Sequence, residues 1–244
     1  MNLLFQSAWA SSPGRLAIVL AVTIGFAALA RALRGVTTSG MLAGAMACFL
    51  MFASAGPAAF ATLTALFLLT LVTTRLGYRR KQELGLAEQG DGRNAWQVLA
   101  NLAVAAASAV VFSFSGNRVW LLGLTAALAE AATDTVASEI GQSSSRTAFL
   151  ITTWERVPAG TDGGITLVGT AAGAAAGLAV AAGAALGNLI PSTRFWIPVA
   201  AGIAGMLADS VLGAILQRKG WMTNETVNVF GTLAAAGVAA VLNT

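Results

Sequence analysis

Residues 129–141 have the sequence AEAATDTVASEIG, in which three carboxylates stand at the end of a long apolar run. If this run is helical, Glu130, Asp134 and Ser138 recur every fourth residue and form one stripe that continues to Gly141. A carboxylate at membrane depth costs roughly 3 kcal/mol on insertion scales, so acids there usually face a polar interior. An oxygen-rich stripe of this kind suits a hard divalent cation such as Mg²⁺. A buried polar seam between helices is the alternative interpretation.

The composition around this stretch is that of a membrane protein. The chain has 244 residues, of which 57% are hydrophobic and 10% charged, and its mean hydropathy is +0.75. Stretches close to the length of about 20 residues that crosses a bilayer occur at about 16–30, 39–55, 58–74, 95–114, 119–140, 165–189, 195–216 and 226–242. We therefore predict an all-α, polytopic transmembrane bundle of about eight helices, with a range of seven to nine. It forms one integral membrane domain over residues 1–244, in which residues 1–12 are expected to be an interfacial segment.

The residue inventory excludes several kinds of chemistry. The single cysteine, Cys48, lies in an apolar run, so there is no disulfide framework and no cysteine metal site. The chain contains no histidine, which excludes imidazole as a general base or metal ligand. Any reaction must use carboxylates, amides, hydroxyls and arginine.

The basic residues predict the orientation in the membrane. Of the 14 lysines and arginines, 11 lie in alternate connections between the predicted helices: Arg31, Arg34, Arg75, Arg79, Arg80, Lys81, Arg93, Arg146, Arg156, Arg218 and Lys219. The positive-inside rule predicts that these connections are cytoplasmic, with both termini on the other side of a bacterial inner membrane. Within them, the cluster at 79–81 is expected to attract anionic lipid headgroups. The charge pattern indicates phosphate partners and membrane lipid, and no nucleic acid.

Amide side chains recur at the start of the fourth predicted spanning helix. Asn94, Gln97 and Asn101 share one helical face. Amides of this kind orient a phosphate or a metal-bound water, and they equally join helices in membranes. Both interpretations stay open.

A glycine-rich turn precedes the sixth predicted helix, at residues 158–166. Such a turn can present backbone N–H groups and a helix N-terminus to an anion. It lacks the lysine and the spacing of a P-loop and is not a dinucleotide fingerprint. Directly after it, Gly169, Gly173 and Gly177 form a small-residue face for close helix packing, within the chain or between copies in a homo-oligomer.

The last two predicted helices add polar residues near the same end. Asp209 lies in the seventh, and Asn224 and Asn228 share a face at the start of the eighth. The predicted topology brings Asp134, Glu139, the glycine-rich turn, Asp209 and Asn224 to one face of the membrane.

Three segments carry a family resemblance: 134–141 (DTVASEIG), 160–164 (GTDGG) and 223–228 (TNETVN). With 93–101 and 209–217, they resemble an integral membrane family, formerly a domain of unknown function, that includes animal transmembrane protein 19 and plant and cyanobacterial phytyl-phosphate kinases. The family is distantly similar to CTP-dependent polyprenol kinases and to phosphatidate cytidylyltransferases. The resemblance implies prenyl-lipid metabolism, such as that of tocopherol, with a nucleoside triphosphate, an isoprenoid monophosphate and Mg²⁺.

The resemblance and the residue inventory together predict a lipid phosphate kinase that uses CTP or another nucleoside triphosphate. Its site is expected to hold Mg²⁺ through Asp134, Glu139 and Asp209, with Glu130 nearby, and to bind nucleotide and phosphate through Arg156, Gly160, Thr161, Asp162, Gly163, Gly164, Gln97, Asn101, Asn224 and Asn228. A lipid-phosphate cytidylyltransferase would use the same ligands. A small-solute transporter is the alternative that is not an enzyme, but it usually has inverted repeats and a site near the midplane.

Overall fold

A computed structural model of the chain describes residues 14–83, 85 and 91–244. Eight of the described helices are long and apolar enough to cross a membrane. Together with one short helix they are α1 (Arg15–Ala32), α2 (Thr38–Ala55), α3 (Pro57–Arg75), the short α4 (Tyr78–Glu83), α5 (Ala95–Ser115), α6 (Val119–Ser144), α7 (Leu167–Leu186), α8 (Trp196–Ile215) and α9 (Asn224–Leu242). The prediction of an all-α polytopic bundle is confirmed. The interfacial segment predicted at residues 1–12 lies outside the described residues.

Polar side chains fix where several helices begin. Thr37 accepts a hydrogen bond from Gly40 N over 3.2 Å at the start of α2, and Thr166 accepts one from Gly169 N over 3.0 Å at the start of α7. These bonds satisfy backbone N–H groups that the first helical turn leaves without partners. Side-chain caps therefore help to set where these helices begin, whereas the membrane and the packing between helices stabilise the helices themselves.

Helix α6, which carries the acidic stripe, lies at the centre of the bundle. Every residue from 121 to 133 is buried. The helix packs against α3, α4, α5, α7, α8 and α9, whereas α1 packs on α2, and α2 packs on α3 and α5. The carboxylates that were predicted to form a site therefore lie on the helix that packs against the most other helices.

The connection between α6 and α7 contains a small antiparallel sheet. Its strands are β1 (Thr147–Leu150), β2 (Arg156–Pro158) and β3 (Gly164–Ile165), in the order β2-β1-β3. Phe149 of β1 pairs with Arg156 on one side and with Ile165 on the other. The sequence predicted a loop here. The sheet holds the glycine-rich turn, which lies between β2 and β3, at the end of the bundle.

The arginine-rich connections gather at one end of the bundle, which we call the arginine-rich end. Arg93 lies just before α5, and Gly35 lies just after α1. The backbone N–H of Arg93 donates to the Gly35 carbonyl over 3.1 Å. Gly77, after α3, lies so close to Ser143 at the end of α6 that a Cβ on it would be 2.5 Å from the Ser143 Cβ. Connections that are distant in sequence therefore form one continuous surface.

The opposite end holds the remaining connections. Arg15 at the start of α1 donates to the Ala53 carbonyl near the end of α2, and Arg194 donates to Asn243 after α9. These contacts join the start of α1 to the end of α2, and the segment before α8 to the end of α9; the side of the membrane on which they lie stays a prediction.

The glycine face of α7 packs directly on α6. A Cβ at Gly169 would lie 2.4 Å from the Ala137 carbonyl oxygen, and one at Gly173 would lie 2.4 Å from the Thr133 carbonyl oxygen. At Gly177 the obstacle is the Thr133 hydroxyl, at 2.3 Å. The predicted small-residue face therefore serves a contact within the chain.

We expect Gly173→Ala to destabilise the protein by about 1–3 kcal/mol, because its Cβ would overlap a backbone oxygen of a buried helix. The matched control is Gly183→Ala on the same helix, where nothing lies within 4 Å of the added Cβ. Alanine is also the better helix former. Thermal unfolding in detergent compares the two variants, and equal midpoints would contradict the close contact.

Candidate functional site

A polar cavity of about 140 Å³ lies at the arginine-rich end, between α6, α8, the start of α9 and the sheet connection. From α6 it is lined by Asp134, Ser138 and Gly141, the spacing predicted for one helical stripe. From α8 it is lined by Asp209 and Ser210. Two helices far apart in sequence thus contribute one aspartate each to the same space.

The glycine-rich turn at 160–164 forms another wall of the polar cavity. Gly160 and Gly163 have φ angles of 82° and 75°, left-handed conformations that favour glycine. A Cβ at Gly163 would lie 2.5 Å from Ala214 N and 2.6 Å from the Ser210 carbonyl oxygen. The turn is therefore held against α8, with its backbone beside the two aspartates.

Within this turn, Asp162 is fixed by a side chain from the connection after α8. Gln217 Nε2 donates to Asp162 Oδ1 over 2.9 Å. Burial raises the pKa of Asp162, and the nearby Arg218 guanidinium opposes this shift. The neighbouring Thr161 donates to the Pro158 carbonyl over 2.7 Å. Both side chains thus hold the shape of the turn. The backbone N–H groups of Thr161 and Gly164 also donate within it, to the Pro158 and Thr161 carbonyls, so a ligand would have to use those of Gly160, Asp162 and Gly163.

Helix α9 contributes its two predicted asparagines in different ways. Asn224 lines the polar cavity. With its amide oriented to satisfy both neighbours, Asn228 donates to Asp209 Oδ2 over 3.2 Å and to the Asn224 carbonyl over 3.1 Å. Asn228 therefore positions Asp209.

Glu130 lies one helical turn deeper in α6 than Asp134. Its side chain is buried between α8 and α9: a Cβ at Gly205 would lie 2.5 Å from Glu130 Cγ, and one at Gly231 would lie 2.6 Å from Oε1. Oε1 has no hydrogen-bond partner among the described residues. The Asp134 and Asp209 carboxylates both lie near enough to repel the Glu130 carboxylate. Such a buried, unsatisfied oxygen beside like charges calls for a proton or a cation.

The donor set of the polar cavity suits Mg²⁺ more than it suits a metal held by the protein alone. In the described part of the chain, no three carboxylate or cysteine side chains are close enough together to hold a metal ion. Mg²⁺ is usually held by one or two carboxylates, with waters and substrate phosphates as its other ligands. Asp134 and Asp209 on one polar cavity, with Glu130 close behind them, meet that requirement.

Glu139 is not in the polar cavity. It is buried on another face of α6, where it forms an ion pair with Lys81 of α4 and accepts a hydrogen bond from Thr74 Oγ1 over 3.1 Å. Lys81 Nζ also donates to the Thr74 carbonyl over 2.7 Å. The carboxylate predicted as a Mg²⁺ ligand is thus paired with a cation. For Lys81, the prediction of contact with lipid headgroups is wrong, since its side chain is only 1% exposed.

Arg156 also lies apart from the polar cavity. It is exposed on β2, and its guanidinium lies over the Phe149 ring, 5.8 Å from the centroid. Its predicted contact with a phosphate at the glycine-rich turn stays a prediction.

Gln97 and Asn101 line a second cavity, of about 430 Å³, which borders α6 at Ala131. Gln97 Oε1 accepts from Asn94 N over 2.9 Å in a capping box, and Asn101 Nδ2 donates to the Gln97 carbonyl over 2.8 Å. This cavity is mainly apolar, and we call it the apolar cavity. The two amides predicted with the phosphate site therefore belong to a different space from Asp134 and Asp209.

From the sequence, the basic connections indicated membrane orientation and phosphate partners in general, without assigning Arg34, Arg75 or Arg93 to a site. In the structure, these three arginines line the apolar cavity. Arg93 reaches furthest toward the polar cavity: its Nη2 lies 3.5 Å from Thr135 Oγ1, and its charge attracts Asp134. The one signal in the sequence was the position of Arg93 directly before the row of amides.

These features define a class: an integral, multi-pass membrane protein with a polar cavity and an apolar cavity that both border a central acidic helix. The family model for Integral membrane protein DUF92 matches residues 21–236, so the chain belongs to that family. The family indicated by the resemblance is thereby confirmed.

Relatives come from bacteria, archaea and plants. An uncharacterized membrane protein of Synechocystis is 36% identical over 78% of this chain and 76% of its own length. One from Methanocaldococcus jannaschii is 32% identical over 93% of this chain and 94% of its own length. The chloroplastic protein VTE6 of Arabidopsis thaliana is 31% identical over 85% of this chain and 65% of its own length. No solved structure matches the chain.

Proposed function

We propose that this chain is a membrane-embedded isoprenoid monophosphate kinase, which transfers the terminal phosphoryl group of a nucleoside triphosphate to a prenyl monophosphate. One observation carries the proposal. Asp134 and Asp209 face the glycine-rich turn across one polar cavity at a membrane end. Carboxylates for a metal and a backbone turn for phosphates are the parts that phosphoryl transfer requires. The family resemblance supports the same reaction, with CTP as the donor.

The reaction needs no general base from the protein. An oxygen of the prenyl monophosphate, already anionic, forms a bond to the terminal phosphorus, and the bond from that phosphorus to the bridging oxygen breaks. The products are a prenyl diphosphate and a nucleoside diphosphate. The rate acceleration then comes from positioning the two phosphates and neutralising their charge. This agrees with a chain that has no histidine.

Each element of the polar cavity has a role in this proposal. Asp134 and Asp209 would hold Mg²⁺, which neutralises charge on the transferred phosphoryl group. Asn228 keeps Asp209 oriented through its hydrogen bond. The backbone of the turn at 160–164 would receive the nucleotide phosphates. By the positive-inside rule the cavity would open to the cytoplasm, where nucleotides are available.

The test uses the full chain, purified in detergent, with Mg²⁺, each nucleoside triphosphate in turn, and phytyl, geranylgeranyl or farnesyl monophosphate. We expect mass spectrometry to detect a prenyl diphosphate and a nucleoside diphosphate, and chelation of Mg²⁺ by EDTA to abolish both. A nucleotide–lipid product with pyrophosphate would overturn the kinase in favour of a cytidylyltransferase. No turnover with any pair, in protein that unfolds cooperatively on heating, would also overturn it.

A further inference from the structure

The apolar cavity lies mainly between α1, α2, α3 and α5, and it borders α6 at Ala131. Ala27 of α1, Met41 of α2, Leu66 of α3 and Leu102 of α5 line it. On α3 its lining runs from Leu63 to Arg75, so it extends about 18 Å along that helix at the rise of an α-helix. This is an elongated apolar space with room for a hydrocarbon chain.

One end of this cavity is strongly cationic. Arg34, Arg75 and Arg93 line it, and in the described part of the chain no carboxylate does. Three arginines, with no acid among the described residues of the lining, are complementary to a group with more than one negative charge.

The positions of these arginines are fixed by the backbone. The connections that carry Arg34 and Arg93 pair with each other, and a Cβ at Gly92 would lie 2.6 Å from the Arg34 carbonyl oxygen. The Arg75 side chain donates to the carbonyl of Leu33. The cationic end is therefore held by hydrogen bonds and close packing between two connections.

Aromatic rings of α1 and α3 lie along the cavity. Phe26 and Phe67 both line it, and the Phe26 ring packs edge-to-face on Phe67, with 5.3 Å between centroids. The Phe67 ring also reaches the connection that carries Arg34, since a Cβ at Gly35 would lie 2.9 Å from Phe67 Cε2. These rings therefore form an apolar wall close to the cationic end.

We propose that the apolar cavity binds the acceptor of the reaction, a lipid monophosphate with a single hydrocarbon tail. The tail lies between α1, α2, α3 and α5, and the phosphate lies among Arg34, Arg75 and Arg93. The identity of the acceptor rests on the proposed function. Because Arg93 also attracts Asp134, a phosphate bound beside Arg93 would be close to the polar cavity.

The test measures binding without nucleotide, so that it does not depend on turnover. Geranylgeranyl monophosphate is titrated into the full chain in detergent, and geranylgeraniol, inorganic phosphate and phosphatidate serve as comparison ligands. We expect the monophosphate to bind at least about tenfold more tightly than geranylgeraniol, which lacks the phosphate, or inorganic phosphate, which lacks the tail. Binding of phosphatidate with equal affinity would overturn the assignment of a single-tailed ligand.

Two pairs of variants locate the site. Gly44→Leu places a side chain in the cavity, where an added Cβ would lie 3.7 Å from Val98 Cγ1. Its control is Gly25→Leu, where nothing lies within 4 Å of the added Cβ. Arg75→Gln removes one cation, and its control is Arg79→Gln on the exposed face of α4. We expect Gly44→Leu and Arg75→Gln each to weaken binding about tenfold or more, and the controls to bind as the parent does.

The possible outcomes distinguish a failure of the proposed binding site from a failure of the proposed function. Unchanged affinity in Gly44→Leu would show that the tail binds elsewhere and would overturn the proposal. Binding that follows the expected pattern, without phosphoryl transfer from any nucleotide, would keep the site and overturn the kinase. Turnover with an unchanged KM for the acceptor in Gly44→Leu would keep the kinase and overturn the site.

Discussion

Asp134→Asn is expected to lower the rate of phosphoryl transfer by about 100- to 1,000-fold. Asparagine keeps the size of the side chain but removes the charge that would hold Mg²⁺ in the polar cavity. The variant should fold, because Asp134 repels Glu130 and Asp209 and its neutralisation relieves that repulsion. The measurement is the initial rate of prenyl diphosphate formation at saturating nucleotide, over a range of Mg²⁺ concentrations.

Two further variants make this result interpretable. Asp209→Asn should show a loss of similar size, since Asp209 lines the same cavity from α8. Glu155→Gln, on the exposed β1–β2 turn, is the matched control and should keep the parent rate. Full activity in Asp134→Asn would show that the metal assignment is wrong.

Lys81→Met is expected to destabilise the protein by about 3–5 kcal/mol, because it leaves the buried Glu139 carboxylate without its cation. The hydrogen bond from Thr74 stays in place but supplies no charge. The double variant Lys81→Met with Glu139→Gln should recover most of this loss, because removal of both charges avoids an unpaired one. Thermal or denaturant unfolding in detergent measures both changes.

The control for this pair is Arg79→Met, which removes an exposed cation from the same short helix and is expected to change stability little. If the single and the double variant lost the same stability, Lys81 would contribute packing alone and the ion pair would carry no energy. A double-mutant cycle with Glu139→Gln alone gives the coupling energy directly.

Local patterns in the sequence were enough to predict the helical bundle and several residues of the polar cavity. The apolar runs placed the eight spanning helices because each run is long enough to be recognised by itself. The spacing of Asp134, Ser138 and Gly141 predicted one face, and the polar cavity has that face as a wall. The capping box of Asn94 and Gln97 also follows a known local pattern, an N-cap residue with a glutamine three positions later. It was interpreted only as a row of amides.

Contacts between distant segments could not be predicted in this way. Lys81 and Glu139 are 58 residues apart in the sequence, and nothing near either residue indicates the pairing. The strands at 147–165 are two to four residues long, too short for alternation of apolar and polar side chains to be recognised. The apolar cavity is a space between six helices, and local sequence patterns do not describe such spaces.

The position of Glu130 has a consequence for how the family can vary. Its side chain fits only because Gly205 on α8 and Gly231 on α9 have no side chains there. A larger residue at either glycine collides with the glutamate side chain. Without the glutamate, Gly205 would still be required, because an added Cβ would lie 2.7 Å from the Gly231 carbonyl oxygen, whereas the closest obstacle at Gly231 would be gone. Homologous chains that lack the glutamate are therefore expected to keep Gly205 and to vary at Gly231.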